Sequence, residues 1–455
     1  MSLNSSYDVV YEVTPSGNLD GDLHEFQITA NDTALMTIYD IIPTDLSSIG
    51  GPKDGWIYDG IFQELDIASG ELLFEWRASD HYAVEETLAP VGKKGRSEED
   101  AFDYFHINSV DKDDKGNYYI SSRYMHTITC ISPSGDILWK LGGKHNDFKD
   151  LSEGAATNFA WQHHARWYPN NILTIFDNAA YDSYHSLATA ENSRGLKISL
   201  DTDRMTATLL QDYVSPGIRA HSQGSVQVLP SNNVFVGWGH TSAFTEFAPN
   251  GEILCEAHFG ASALFGWGWV KSYRGFKGNW TGQPSTPPDI EVRPGYLQTT
   301  AYVSWNGATE VKYWRLESTS RVTADEHEFE PIETSPKTGF ESSLSIPKKT
   351  GEYLRIVALD KDYKPLGHTD LIHKKTGQLV SSITGHARTS FNAVYMLTIS
   401  IGREHSRRRG RQRFDKPTEL DGLLRFHHPP FRGTYFVSLT QECAPSMKGW
   451  SSQNS

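Results

Sequence analysis

Four short segments of the chain put histidine beside other polar side chains. They are His24-Glu25, His106-Ile107-Asn108, Gln162-His163-His164-Ala165-Arg166 and His221-Ser222-Gln223. An imidazole, with an unperturbed pKa near ~6.5, acts as nucleophile or as acid and base around neutral pH. With Asn and Arg alongside, the set suits an anionic group. A neutral imidazole attacks, and amide and cationic donors hold the oxygens. His106, His163 and Arg166 are the candidate catalytic residues; His24, Asn108, His164, His221 and Gln223 are candidate substrate-binding residues. Metal ligation is another use of histidine, and Glu25 and Asp177 could assist it. No short ligand spacing such as H-x-x-x-H occurs, so neither a metal nor a cofactor is expected. Asp177-Asn178 reads as a turn cap or as an orienter of a histidine.

These residues are far apart in the chain, so a repeating element must bring them together. One phrase recurs: an apolar strand, a turn containing Gly, then a second apolar strand. It reads LDIASGELLFEWRA (65–78), CISPSGDILWKLGG (130–143) and EFAPNGEILCEAHF (246–259), with a degenerate copy ISLDTDRMTATLLQDY (198–213). The glycine supplies positive φ for a tight hairpin turn. Before each copy stands a second hairpin, beginning near His24, His106, His163 or Gln223. Each unit therefore has four short strands, and the units repeat about every 57 to 82 residues, longer than a common propeller blade because loops are inserted. The fold class expected is all-β: a β-propeller, with a β-sandwich as the rival. In a propeller the first strand of each blade lines the axis, so the four histidine segments would meet in one central pocket. The competing reading is that these side chains lock neighbouring blades together.

Net charge is −14 over 455 residues, which disfavours nucleic acid as a partner of the chain as a whole. The longest apolar run is far below the ~18 residues of a membrane span. The first residues lack the basic start and apolar run of a signal peptide, and the compartment stays unknown. Sequons at Asn4, Asn31 and Asn279 argue weakly for glycosylation. Three cysteines, Cys130, Cys255 and Cys443, give no disulfide framework; Cys130 and Cys255 read as small core residues. The aromatic loop GWGWV (266–270) could stack a flat substrate or cover the core.

The segments LHEFQIT, DGWIYDGIFQELDIASGELLFEWRASDH, DYFHINSVDKDDKGNYYISSR, WQHHARW with FDNA, SQGSVQVLPSNNVFVGWG and YRGFKGNWTG lie in order over roughly residues 6 to 282. Together they resemble the arylsulfotransferase family, in particular its fungal arylsulfotransferase-like branch. The resemblance implies a propeller, six-bladed in bacterial members. It implies transfer of a sulfuryl group from an aryl sulfate to a phenol through a transiently sulfated histidine. By position, FHIN carries over His106 and Asn108 as sulfate-site residues, and QHHAR carries over His163 and Arg166. Two positions depart from relatives: His164 stands where many have Asp, and His221 where fungal relatives usually have a small residue. Family members are often secreted or membrane-associated, and usually carry about 100 residues more ahead of this point, the size of a small domain. Missing blades or a partner subunit would then complete the ring, and SYDVVYEV (6–13) reads like the last strands of a further blade.

The domains expected are a propeller over 1–285, a fibronectin-III-like sandwich over 286–374 after a Pro-rich linker, and a mostly disordered tail over 375–455 with a basic run, Arg403 to Arg413. The function expected is an aryl sulfotransferase-like transferase acting on a small aromatic compound. The alternatives are a natural-product cyclase or isomerase working by histidine acid–base chemistry, and a non-catalytic propeller scaffold.

Overall fold

The repeated phrase folds as four antiparallel sheets in the computed structural model, which describes residues 2–182, 187–296 and 298–380. Strands Gly21–Ile28, Thr33–Thr44, Gly55–Asp66 and Leu72–Arg77 make the first sheet. Ile107–Lys112, Tyr118–Ser122, Thr127–Ile131 and Ile137–Gly142 make the second. The third is His163–Tyr168, Ile172–Asp177, Arg194–Asp201 and Thr206–Tyr213. The fourth is Ser225–Val228, Val234–Gly237, Ala243–Phe247 and Ile253–His258. Within each sheet the strands lie in chain order, joined by hairpins. A short strand, Phe102–Asp103, adds in parallel to Gly55–Asp66.

Side chains alternate across a strand, so a sheet covered on both faces must be apolar at odd and even positions alike. The second sheet shows this. Tyr118 and Ile120 pack with Leu35, Phe62 and Trp76 of the first sheet. Tyr119 and Ile128 pack with Leu173, Ile175 and Leu196 of the third. Phe176 and Tyr213 of the third sheet then pack with Val226, Val236 and Trp238 of the fourth. Four meander sheets stacked face to face in chain order are a propeller-like arrangement. Among the described residues there is no α-helix. The hairpin glycines Gly70, Gly135 and Gly251 sit at φ 72°, 96° and 84°, and Met205 takes φ 52° in the copy that lacks one. Cys130 is buried. Cys255 lies half-buried on the outermost strand of the fourth sheet rather than in the core.

These sheets belong to a unit of residues 13–278; residues 2–12 belong with 279–380. In that second unit, the sheet Asp289–Arg293, Thr299–Ser304 and Glu341–Ile346 shares one core with a sheet built on Tyr313–Thr319 and Tyr353–Leu359. Trp305, Trp314, Val303 and Ile356 fill that core. Val9–Tyr11 pairs with Ser2–Leu3, and the Tyr7 hydroxyl donates to the Gly307 carbonyl at 2.8 Å. The expected tail, from residue 381 on, and Cys443 lie outside the described residues.

Candidate active site

The imidazoles of three of the four histidine segments meet near the starts of the first strands. The ring centroids of His24 and His106 are 4.8 Å apart, and those of His106 and His163 are 6.3 Å apart. Two of the rings are anchored by carboxylates. His24 Nδ1 is hydrogen-bonded to Asp22, two residues back on the same strand. His106 Nδ1 is hydrogen-bonded to Asp103 Oδ2 at 2.5 Å. A carboxylate on Nδ1 keeps the proton there and leaves the lone pair on Nε2. His106 holds φ 56°, a left-handed backbone that costs a non-glycine residue about 1–3 kcal/mol and clusters at functional sites. Burial pushes the His106 pKa down, against the pull of Asp103. The His106 side chain remains 16% exposed and Asp103 24% exposed, so this dyad is reachable from solvent.

His163 is held differently. Its Nδ1 lies 2.7 Å from Asn178 Oδ1. The Asn178 amide nitrogen donates to the carbonyls of Ala220 and Gln223. Asn178 Oδ1 must therefore accept, and His163 carries its proton on Nδ1. The Nε2 lone pair receives only the Gln223 N–H, at 3.2 Å. Burial, then Arg123, then His106 push the His163 pKa well below its ordinary value. The result is a neutral imidazole with its tautomer set by its neighbours.

The arginines divide into two kinds. Arg166 Nη2 donates to Glu25 Oε2 at 2.7 Å, and Arg274 Nη1 donates to Glu25 Oε1 at 2.6 Å. Arg274 also donates to the Asn108 carbonyl at 2.8 Å. Burial pushes the Glu25 carboxyl up, but the two guanidinium groups outweigh it and hold it below the usual range. Arg166 thus serves a buried ion cluster that ties the first sheet to the third, and the blade-locking reading fits it. Arg123 is the other kind. Among the described residues it donates only to the carbonyls of Tyr181 and His221, at 2.8 and 2.9 Å, and its Nε is buried without a partner. Its guanidinium lies over Tyr124, Trp161 and Tyr181, at 4.9, 5.6 and 5.6 Å from the ring centroids.

The remaining expected residues are spread around this centre. Asn108 Nδ2 donates to the Gln162 carbonyl at 2.7 Å, while its Oδ1 is buried without a partner. Gln223 holds φ 64°, which turns its N–H onto His163, and its Oε1 is also unpartnered. A bulge between His163 and Arg166 turns His164 another way. The His164 ring lies against Phe276, and its Nδ1 accepts the Val226 N–H at 3.3 Å. Burial, Arg166 and Arg274 keep it neutral. The His221 ring rests on His240, with centroids 3.7 Å apart, and its carbonyl accepts from Arg123. Sequence reasoning did not select Arg123, Arg274, Tyr273, Asp22 or Asp103. Four of them stand inside motifs already quoted, at the start and end of DYFHINSVDKDDKGNYYISSR and at the start of YRGFKG. Among the described residues, no group of three or more His, Cys, Asp or Glu is placed to hold a metal ion.

The fold is thus a propeller-like all-β unit that gathers a polar cluster of imidazoles with a buried guanidinium, Arg123. Residues 1–260 match the arylsulfotransferase (ASST) family, and the chain belongs to it. That family implies a transferase. No curated protein matches the chain. Among solved structures it is similar to a protein of unknown function from Bacteroides caccae (12% identity, TM-score 0.28, 70% of this chain and 88% of that one). It is similar to virginiamycin B lyase from Staphylococcus aureus (9% identity, TM-score 0.26, 73% and 88%). It also resembles the extracellular domain of a putative one component system from B. thetaiotaomicron (9% identity, TM-score 0.31), covering 75% of this chain and 48% of that one. These likenesses are too slight to carry fold or activity across.

Proposed function

We propose that the chain transfers a sulfuryl group between aromatic hydroxyls at the His24–His106–His163 cluster, as a member of the fungal-type branch of its family. One observation carries this reading. Arg123, a buried guanidinium that among the described residues donates only to carbonyls, acts electrostatically on His163, whose tautomer puts its lone pair on Nε2. Sulfuryl transfer, like phosphoryl transfer, depends mostly on positioning and on neutralising charge at the equatorial oxygens. Arg123 supplies the positive charge, and the Gln223 N–H releases the Nε2 lone pair as the sulfur approaches. His163 Nε2 forms the bond to sulfur as the aryl oxygen–sulfur bond breaks. The phenolate leaves with that bonding pair and takes the proton His106 holds from the preceding turnover. The acceptor phenol then attacks sulfur, the N–S bond breaks, and the phenol proton passes to His106 Nε2. Asp103 stabilises the imidazolium formed there. We also take the second unit as fibronectin-III-like, on its two-sheet packing.

The test is 4-nitrophenyl sulfate with an added phenol. Nitrophenol release and a new aryl sulfate are expected, both lost in His163→Asn and reduced in His106→Gln. A wild-type chain that folds but releases no nitrophenol with a range of phenols sinks the reading. A second reading draws on the two Asp–His pairs, which are devices for moving protons. On that reading the site isomerises or cyclises a neutral aromatic compound, and turnover needs no sulfate ester.

A further inference from the structure

Tyr273 is a phenol built into the wall of the cluster. Among the described residues, its hydroxyl is the one tyrosine hydroxyl buried without a hydrogen-bond partner. Leaving such a group unpaired costs about 1–3 kcal/mol. The nearby Tyr39, by contrast, donates its hydroxyl to the Ile107 carbonyl at 2.6 Å. The placement of Tyr273 is set from three sides. Its ring meets His24 edge-on, with centroids 5.7 Å apart. Its carbonyl accepts the Gly224 N–H at 3.0 Å, next to the Gln223 N–H that lies on His163 Nε2. The following residue, Arg274, is clamped to Glu25 and to the Asn108 carbonyl. The Tyr273 ring therefore lies against a carboxylate-backed base, His24, while its backbone is tied to the strand start whose N–H touches His163.

Resting on the sulfuryl-transfer reading, we propose that Tyr273 is an internal acceptor and a site of self-modification, carrying a tyrosine O-sulfate when external phenol is scarce. The N–S bond of sulfated His163 breaks, the bond from Tyr273 Oη to sulfur forms, and the phenol proton passes to His24 Nε2. Burial pushes the Tyr273 hydroxyl pKa up, so the base is needed to draw the proton off. The reverse step returns the group to His163 once a phenol acceptor arrives. A resident phenol also competes with the external acceptor for the same sulfuryl group.

The experiment uses the full chain with 4-nitrophenyl sulfate and no added phenol. Nitrophenol release is followed in the same samples that are digested and mapped by electron-transfer fragmentation. The expected result is a burst of nitrophenol and one SO3 group on the peptide containing Tyr273. Excess phenol added beforehand is expected to deplete that peptide, and Tyr273→Phe, which keeps the ring, to abolish it. Nitrophenol release with no sulfate on Tyr273 overturns the proposal and leaves the transferase reading standing. Absence of release under every condition overturns both.

Discussion

Replacing Asn178 by Asp tests the assignment of the attacking imidazole. Asn178 Oδ1 receives the His163 Nδ1 proton at 2.7 Å, and its amide nitrogen serves two buried carbonyls at 2.7 and 2.9 Å. A carboxylate keeps the first contact and loses the other two. An opposite charge this close favours the protonated imidazole by about 1–3 pKa units, each worth ~1.4 kcal/mol. The Gln223 carbonyl is orphaned and the Ala220 carbonyl keeps only the Ser193 hydroxyl at 3.4 Å, at about 1–3 kcal/mol for an unpaired group, so the variant should be about 1–6 kcal/mol less stable. The sign for activity follows from the chemistry. Only neutral His163 attacks, so rate is lost as pH falls through its pKa. In the native chain burial and Arg123 hold that pKa well below the ordinary value, so His163 does not set the acid limb. In Asn178→Asp the limb moves toward neutrality. The assay is the initial rate of aryl sulfate formation between about pH 4 and pH 8, with circular dichroism to show that the variant is folded. A folded variant with an unmoved acid limb refutes the role given to His163 and shifts the attack to another nitrogen of the cluster.

Arg123→Gln removes the charge proposed to face the sulfuryl oxygens; loss of one such donor is expected to lower kcat by about 10²–10³, measured with saturating 4-nitrophenyl sulfate. Glu25→Gln leaves Arg166 and Arg274 buried without their counter-charge and should cost about 3–5 kcal/mol in urea unfolding. Acid should weaken the propeller-like unit in two stages. His163 and His164 have depressed pKa values when folded, so the unfolded chain takes up protons first and stability falls as pH drops below ~6.5. Glu25 and Asp22, also held low, lose their contributions below about pH 4. A His164→Gln variant should flatten the upper stage, and an unchanged profile there contradicts the neutral buried state of His164.

The architecture was legible because it rests on short-range signals that repeat. Alternation, the turn glycines and the four-strand spacing predict sheets in chain order, and the described strands follow them. The meeting of the His24, His106 and His163 rings was legible for the same reason, since all three stand at equivalent places near first-strand starts. What alternation cannot show is where a bulge changes the phase of a strand. The irregularity between His163 and Arg166 makes neighbours of unlike residues, sending His163 to Asn178 and His164 to Phe276. A one-residue shift in a strand moves every following side chain to the other face. The partners of Arg166 and Arg123 were equally hidden in the sequence. The two share a charge and stand in neighbouring motifs, yet Glu25, 141 positions from Arg166, neutralises one of them, and among the described residues no carboxylate pairs with the other. That difference separates a strut from a cation left for the proposed substrate, and it is decided by pairing between sheets rather than by residue type. A cation with its counter-ion already in place is poorly suited to receive a substrate anion, whereas Arg123 keeps a buried N–H unused beside the neutral nucleophile. The charge of the site is therefore set less by how many arginines it holds than by how few carboxylates reach them.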